Sequence, residues 1–380
     1  MAPVEARLRV KRRQVTTAHR IVSTRTGRIR QDEGRCPGSN SYGPPPNRCR
    51  PARRHAAFAP RPGRLPVLGM SGSSGGADDA HTIKAGRRTV KISRPGKVLF
   101  PDDGITKADL ADHYKAVARR AVPHLRDRPL MMERHPDGIG GKPLMQKNAP
   151  DYFPEWVRRS EQSKEGGTVT HVVCDDPATL VYLADQATVT VHRWLSREHR
   201  PDHPDLIIFD LDPAEGADFE DVRWAAHRVC DLWDELKLPA RLMTTGSRGL
   251  HVIAPLDGGS DFDAVRDFAH LAAERLARQH PDRLTTEQRK ADRKGRIYLD
   301  VQRNAYAQTA VAPYSVRAKP GAPVATPISR DELDDPGLTA QRWTVATFPD
   351  RLAEDDPWAG LSWRGRSVPA ARERLEALEE

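Results

Sequence analysis

Two acidic side chains follow an apolar run, in the stretch Ile207-Ile208-Phe209-Asp210-Leu211-Asp212. Because side chains alternate along a strand, Asp210 and Asp212 are predicted to lie on one face. Two carboxylates on one face repel each other unless a cation neutralises them, and hard oxygen ligands select Mg²⁺ or Mn²⁺. The alternative is a strand-end turn in which both acids cap the following helix.

A third acid, Asp300, lies in the predicted strand Tyr298-Leu299-Asp300-Val301. A lone buried carboxylate there is costly unless it is paired or bound to a metal. Asp210, Asp212 and Asp300 could together hold two cations for in-line phosphoryl chemistry. The alternative is that Asp300 faces solvent or pairs with Arg303.

A glycine-rich turn, Thr245-Gly246-Ser247-Arg248-Gly249-Leu250-His251, lies between two apolar stretches. The glycines let the backbone approach an anion, and the hydroxyls, amides, arginine and histidine can all donate to phosphate oxygens. Its spacing is not that of a Walker A loop. The alternative is a hairpin turn that needs no ligand.

The elements that must position these residues form an α+β mixture without internal repeats. Apolar spacing and capping residues predict four helices, near residues 106–125, 177–187, 219–236 and 262–279. Strands are predicted near residues 130–133, 143–147, 168–174, 188–194, 205–209, 241–245, 250–255 and 296–301.

The basic residues are concentrated at the N-terminus of the chain. The net charge is +9 over 380 residues, but residues 1–69 carry 16 Lys and Arg against 3 Asp and Glu, and residues 70–380 carry 45 against 49. Residues 1–87, rich in Arg, Pro, Gly and Ser, are expected to be disordered. They are interpreted as a non-functional extension with the natural start at Met70, or alternatively as a tail that binds nucleic acid or acidic lipid.

The remaining domain predictions are a catalytic domain over residues 88–330 and a C-terminal extension over residues 331–380 that packs on the domain or trails it. No apolar run of eighteen residues and no secretory signal occur, so no membrane partner is expected. The four cysteines form no C-x-x-C pair, which is typical of a reducing cytoplasm. The expected location is the bacterial cytoplasm, in association with the nucleoid.

The three motifs, in this order, resemble those of the archaeo-eukaryotic primase superfamily, and in particular the polymerase domain of bacterial ATP-dependent DNA ligase D. Supporting stretches are Val98-Leu99-Phe100-Pro101, Thr106-Lys107, Gln146-Lys147, Val191-His192 and Ala312-Pro313-Tyr314-Ser315-Val316-Arg317. The resemblance covers about residues 90–328. It implies a primase-like catalytic core with mixed sheets flanked by helices. It also implies template-dependent addition of nucleotides, preferably ribonucleotides, at gaps and broken DNA ends.

Site residues follow from the resemblance position by position. It implies that Asp210, Asp212 and Asp300 bind two Mn²⁺ or Mg²⁺ ions, with His192 nearby. It assigns the incoming nucleotide to Lys147, Thr245, Gly246, Ser247, Arg248, Gly249, His251 and Arg317, and the 5′-phosphate of the DNA to Lys97 and Lys107. From the residues alone, these lysines could equally be surface residues, His192 a core histidine, and Arg317 an ion-pair partner.

Some positions depart from the family's pattern. Thr245 stands where Ser is usual, and we expect its hydroxyl to contact the ribose 2′-hydroxyl. Leu144 and Met145 stand where some members have two Phe that stack on the base, and Glu133 stands at a position that is basic in some members. Apolar contact with the base is retained, but ring stacking is lost.

Two other functions remain open from the sequence: a haloacid-dehalogenase-type phosphatase, which also begins with Asp-x-Asp, and a non-catalytic module that binds DNA ends. Pro213-Ala214 after Asp212 disfavours the phosphatase, and retention of three acids disfavours the binding module. The Lys-x-Asp-Gly motif of ligases is absent. The expected partners of this stand-alone form are therefore DNA with gaps or ends, NTP or dNTP, a separate ATP-dependent DNA ligase, and Ku.

Overall fold

The computed structural model describes residues 81–164 and 166–378. The disorder predicted for residues 1–80 lies outside this range. Residues 81–87 belong to the segment predicted to be disordered, but the structure places them in a strand and the turn that follows it. Residues 81–85 and 88–92 each place alternate side chains in the core and pair as an antiparallel hairpin. Gly86, with φ of +59°, allows the tight turn between them.

Within the described residues the chain forms six α-helices and eighteen strands. The helices are α1 (Lys107–Leu125), α2 (Pro177–Asp185), α3 (Phe219–Glu235), α4 (Phe262–Gln279), α5 (Phe348–Ala353) and α6 (Val368–Ala377). The strands are β1 (His81–Ala85), β2 (Arg88–Ile92), β3 (Val98–Phe100), β4 (Ile105–Thr106), β5 (Leu130–Arg134), β6 (Leu144–Gln146), β7 (Arg159–Lys164), β8 (Gly167–Val172), β9 (Thr188–Trp194), β10 (Ser196–Arg197), β11 (Arg200–Pro204), β12 (Leu206–Asp212), β13 (Arg241–Thr244), β14 (Leu250–Pro255), β15 (Leu284–Thr285), β16 (Ile297–Asp300), β17 (Thr309–Val311) and β18 (Pro327–Ile328).

The larger sheet has six strands in the order β15-β16-β12-β14-β13-β18, and all its pairings are antiparallel except β15 with β16. Alternation along β12 gives its two faces different neighbours. Phe209 and Leu211 belong to the main core, which includes the buried faces of α3 and α4. Ile208 joins a second core cluster with Val311 of β17. The sheet is therefore covered by helices on one face and by the smaller sheet on the other.

The smaller sheet has four strands in the order β17-β9-β5-β6, and α1 and α2 pack against each other beside it. The sequence predicts α1 correctly. Thr106 caps it in a reciprocal capping box with Asp109, which satisfies two backbone donors that the first turn leaves free. Together the two sheets and their helices confirm the predicted α+β class.

The segment after residue 331 packs on the catalytic domain. Backbone hydrogen bonds join Val324 to Trp343, and Arg366 to Pro255 at the end of β14. Helix α6 buries Val368, Ala371 and Leu375. The C-terminal segment thus contributes to the core.

No helix in the part of the chain that the structure describes is long and apolar enough to cross a membrane. Cys174 and Cys230 are buried, and neither forms a disulfide within residues 81–164 and 166–378. Cys36 and Cys49 lie outside the described residues.

Gly365 allows the C-terminal segment to dock, because a Cβ there would overlap the carbonyl group of Leu256. We expect Gly365→Ala to lower the free energy of unfolding by about 1–3 kcal/mol, the usual cost of overpacking. Urea unfolding measures this. Gly140→Ala is the control, because a Cβ at exposed Gly140 meets nothing within 4 Å. Equal midpoints for the two variants would show that this contact does not hold the segment.

Candidate active site

A cavity of about 230 Å³ lies where the two sheets face each other. Strands β12, β14 and β16 supply its acidic side, and β9 and β17 supply the opposite wall. Its lining comprises His192, Asp210, Asp212, Thr245, Ser247, Arg248, Gly249, His251, Asp300, Arg303, Thr309, Ala310, Val311 and Arg317. Nine of these side chains, and the backbone of Gly249, were predicted from the sequence as site residues.

Asp210 and Asp300 are direct register partners on the antiparallel strands β12 and β16. The pairing depends on Asn304, which is fully buried just beyond β16. Its amide group accepts from the backbone N–H of Ile208 at 2.9 Å and donates to the Ile208 carbonyl at 2.7 Å. Asn304 thereby continues the hydrogen bonding of β12 where β16 has ended, and fixes the strand that carries Asp210.

The surroundings separate the pKa values of these two carboxyl groups. Burial tends to raise the pKa of Asp210, but His251, Arg303 and Arg317 outweigh it and lower the pKa below its usual value. Burial raises the pKa of Asp300, and the charges of Asp210 and Asp212 raise it further, against a hydrogen bond from the Gln302 amide. The opposed carboxylates therefore favour a positive charge between them.

Asp212 lies on the same face as Asp210 but has cationic partners of its own. Arg248 donates to one of its oxygens and Arg293 to the other, each at 2.9 Å. The Arg293 side chain is only 8% exposed, stacks over the Tyr298 ring, and donates to the carbonyls of Glu287 and Gln288. Asp212 does not cap the next helix, because the N-cap of α3 is Asp218. The turn alternative is therefore wrong.

The oxygen atoms of Asp210, Asp212 and Asp300 are suitable ligands for a divalent cation, but the three side chains are not arranged around one point in this structure. Within residues 81–164 and 166–378, no group of three or more His, Cys, Asp or Glu side chains is positioned as a complete metal centre. Asp210 and Asp300 present oxygen ligands of the kind that Mg²⁺ and Mn²⁺ prefer. Asp212 could become a third ligand if Arg248 or Arg293 released the oxygen that it now contacts.

The glycine-rich turn joins β13 to β14 as a hairpin loop beside these acids. The Thr245 hydroxyl is buried and braces the loop: it donates to the Gly249 carbonyl at 3.0 Å and lies 3.3 Å from the amides of Ser247 and Gly249. Its single hydrogen is therefore used within the loop. The ribose contact expected of Thr245 would require this brace to open.

Both glycines of the loop are required by close packing. Gly246 has φ of +62°, and a Cβ there would lie 2.8 Å from Arg317 Cγ. A Cβ at Gly249 would overlap the carbonyl oxygen of Leu211, the residue between the two acids of β12. The loop thus presses directly against the strand that carries Asp210 and Asp212.

Three further predicted residues surround the acids. His251 Nε2 lies 3.5 Å from Asp210, its register partner on β14. Arg317 donates to the Thr245 carbonyl at 2.7 Å, while its buried Nε has no hydrogen-bond partner in the part of the chain that the structure describes. His192 projects from β9 with Nε2 3.5 Å from Glu133, and burial lowers the pKa of this histidine. His192 therefore lines the cavity and is not a core histidine.

The three predicted lysines lie outside this cavity. Lys107 is 3% exposed, and its ammonium group donates to the Ser93 hydroxyl and to the carboxylate and carbonyl of Asp185. These three bonds use all its donors, so contact with a DNA phosphate would require the pair with Asp185 to open. Lys97 contacts the Pro136 carbonyl and Asp137. Lys147 lines a separate cavity with Trp194.

Three residues in or next to the cavity were not predicted as site residues from the sequence. Arg303 was considered only as a partner of Asp300, but its Nε lies 3.8 Å from Asp210. Arg293, which belongs to none of the three motifs, pairs with Asp212. Gln341, in the C-terminal extension, donates to the Ser247 carbonyl at 2.7 Å. Spacing in the sequence carries no signal for Gln341, because 94 residues separate the partners.

The chain was compared with known proteins. Residues 106–358 match the family model described as the LigD primase-polymerase domain. The multifunctional non-homologous end joining protein LigD of Pseudomonas aeruginosa is 33% identical over 328 residues, which cover 86% of this chain and 38% of that protein. The Mycolicibacterium smegmatis protein of the same name is 33% identical over 267 residues, or 70% of this chain and 35% of that protein. This chain therefore spans just over a third of the length of these relatives.

A solved structure agrees with these sequence matches. The polymerase domain of Mycobacterium tuberculosis ligase D, in complex with DNA, superposes with a TM-score of 0.67 at 31% identity. The match covers 70% of this chain and 95% of that one. The predicted primase-like core is confirmed, and a phosphatase fold is excluded. The chain belongs to the LigD primase-polymerase domain family of nucleotidyltransferases.

Proposed function

We propose that this chain adds nucleotides, ribonucleotides in preference, to primer strands at gaps and broken DNA ends by two-metal nucleotidyl transfer. One observation carries the proposal: the Asp210–Asp300 carboxylate pair shares a cavity with a loop of phosphate-binding character. The relatives are named as end-joining proteins, and the related polymerase domain was solved with DNA. Both names support DNA repair as the setting.

Divalent ions would be held by Asp210 and Asp300, and by Asp212 once an arginine leaves it. Bound Mn²⁺ or Mg²⁺ stabilises the charge that develops on a phosphoryl group during transfer. Arg248 is suited to a change of partner, because its side chain is 46% exposed and it belongs to the proposed triphosphate loop. A nucleotide triphosphate could attract Arg248 and so release one oxygen of Asp212.

The protein's own contribution is to bind and orient the nucleotide. The Thr245 brace holds the amides of Ser247 and Gly249 in the loop, while Arg317 and His251 add positive or hydrogen-bonding groups at its base. The Arg303 side chain is 43% exposed, and its Nε lies 3.8 Å from Asp210. Together these groups can offset the charge of a triphosphate next to three carboxylates.

The base and the DNA would be held outside this polar cavity. Leu144 and Met145 are 47% and 54% exposed on β6, and offer apolar contact to a base. Because residues 70–380 carry no net positive charge, DNA contact depends on local groups such as Lys97 and Lys147. A separate ligase and Ku remain the proposed partners, because the relatives are named as end-joining proteins.

Replacing a catalytic acid should abolish incorporation without abolishing DNA binding. We expect Asp210→Asn and Asp300→Asn each to slow incorporation of labelled ATP into a 5′-phosphorylated gapped duplex with Mn²⁺. The loss should be at least about a hundredfold, the scale for removing one group that stabilises transition-state charge. The control is Asp202→Asn, because exposed Asp202 of β11 lies outside the cavity. If the wild-type protein binds the gapped duplex but incorporates no nucleotide with any divalent metal, the non-catalytic DNA-end-binding module is favoured instead.

The Thr245 brace gives a second prediction, which concerns the nucleotide's sugar. The wild type should use ATP better than dATP. Thr245→Val removes a hydroxyl that serves three backbone groups of the loop, so incorporation of both nucleotides should fall by about tenfold or more. Thr245→Ser should preserve it. Single-nucleotide kinetics on the gapped duplex measure both rates. A loss confined to ATP would instead make Thr245 the ribose contact, and a wild-type preference for dATP would contradict the ribonucleotide assignment.

A further inference from the structure

A second cavity, of about 210 Å³, lies at the opposite end of β12 from the catalytic acids. Leu206, the first residue of β12, borders it together with its register partner Pro255. Asp210 is four residues further along β12, a distance of about 13 Å at the usual rise of a strand. The two cavities share no lining residue.

Three guanidinium groups, from Arg128, Arg193 and Arg197, line this second cavity, together with one carboxylate, Asp205. Asp205 is engaged by two of them: Arg128 lies 2.6 Å and Arg197 2.8 Å from its oxygens. Arg197 also lies 3.9 Å from Asp127, so Arg128 and Arg197 each have a carboxylate partner, while no carboxylate among the described residues lies within ion-pair distance of Arg193. A buried guanidinium without a counter-charge is costly.

Arg193 is the unpaired member of the set. It is 1% exposed, and one of its nitrogens, Nη1, donates to the His124 carbonyl at 2.6 Å. Its Nε and Nη2 are buried and have no hydrogen-bond partner among the described residues. Burial lowers the pKa of Arg193 well below its usual value, and Arg128 lowers it further. Two parallel N–H donors of one guanidinium fit two oxygens of a single anion.

The other wall of the cavity neither neutralises this charge nor adds to it. His124 has its pKa lowered to about 3 by burial and by Arg193 and Arg128, so its ring is neutral. Trp363, from the C-terminal extension, packs against the His124 ring at a centroid distance of 5.1 Å and closes one side. The cavity is several times the roughly 30 Å³ that a water molecule occupies in liquid water.

We propose that this cavity binds a phosphate-sized oxyanion, held by the free Nε and Nη2 of Arg193 and by the neighbouring Arg128 and Arg197. An anion there would supply acceptors for the two Arg193 donors that have no partner among the described residues. The anion is either free in solution or the terminal phosphate of a DNA strand. The assignment does not depend on the polymerase activity, because none of these residues lines the catalytic cavity.

Thermal unfolding of the full chain in phosphate-free buffer tests the proposal. A ligand that binds only the folded state raises Tm saturably. We expect sodium phosphate to do so beyond sodium chloride at equal ionic strength. Arg193→Met, which retains the side chain's apolar bulk, should raise the half-saturating phosphate concentration at least about tenfold. Arg193→Lys, which keeps the charge but loses the paired donors, should also weaken binding.

The matched control is Arg248→Ala, because phosphate can also bind at the catalytic cavity. The phosphate response should persist in Arg248→Ala. A wild type that responds no more to phosphate than to chloride would overturn the proposal, as would a full response in Arg193→Met. If Arg193→Met does not fold, wild-type crystals soaked in selenate give the answer. An anomalous peak beside Arg193 supports the site, and an empty cavity at saturating selenate overturns it.

Affinity for gapped DNA with and without a 5′-phosphate distinguishes the two sources of the anion. If the anion is a DNA terminus, Arg193→Met should weaken binding of the phosphorylated duplex alone. If it is free in solution, both DNA affinities should stay unchanged while the phosphate response of Tm is lost. Either pattern supports the site; a Tm response to phosphate that is independent of Arg193 contradicts it.

Discussion

Repulsion between Asp210 and Asp300, which face each other across one pair of strands, is the constraint on which the catalytic cavity depends. Neither carboxylate can be moved away, because Asn304 and the ladder between β12 and β16 fix the backbone. Neighbouring groups separate the two pKa values: against the effect of burial, His251, Arg303 and Arg317 lower the pKa of Asp210, whereas burial raises the pKa of Asp300. A divalent cation relieves the same repulsion more fully, which makes the geometry suited to metal-dependent transfer.

Close packing couples this acidic centre to the glycine-rich loop between β13 and β14. Gly249 lies against the Leu211 carbonyl, between the two acids of β12, so movement of the loop must move that strand or be blocked by it. Arg248 extends the coupling by charge, because it pairs with Asp212 in this structure and belongs to the loop that would hold the triphosphate. Nucleotide binding and release of Asp212 would therefore be linked both mechanically and electrostatically.

Sequence periodicity predicted the elements of this site because their side chains repeat at the spacing of strands and helices. Asp210 and Asp212 share a face because side chains alternate along a strand, and Thr106 is the capping residue that predicted the start of α1. Strand β7, with the sequence RSEQSK, has no apolar alternation and was missed. For a related reason, the burial of Lys107 was not predicted. Lysines are rarely buried, and its partner Asp185 lies 78 residues away, where no local pattern reveals it.

The two ends of β12 border two different cavities. At its C-terminal end, the carboxylates of Asp210 and Asp300 face each other and favour a cation between them, and the family resemblance accounts for that end. At its N-terminal end, arginines outnumber carboxylates, and Asp205 can satisfy Arg128 and Arg197 but not Arg193. The same strand therefore runs between a cavity suited to a cation and a cavity suited to an anion. Because the C-terminal extension closes the second cavity through Trp363 and docks on β14 through Gly365, an anion there would stabilise the attachment of the extension to the catalytic core.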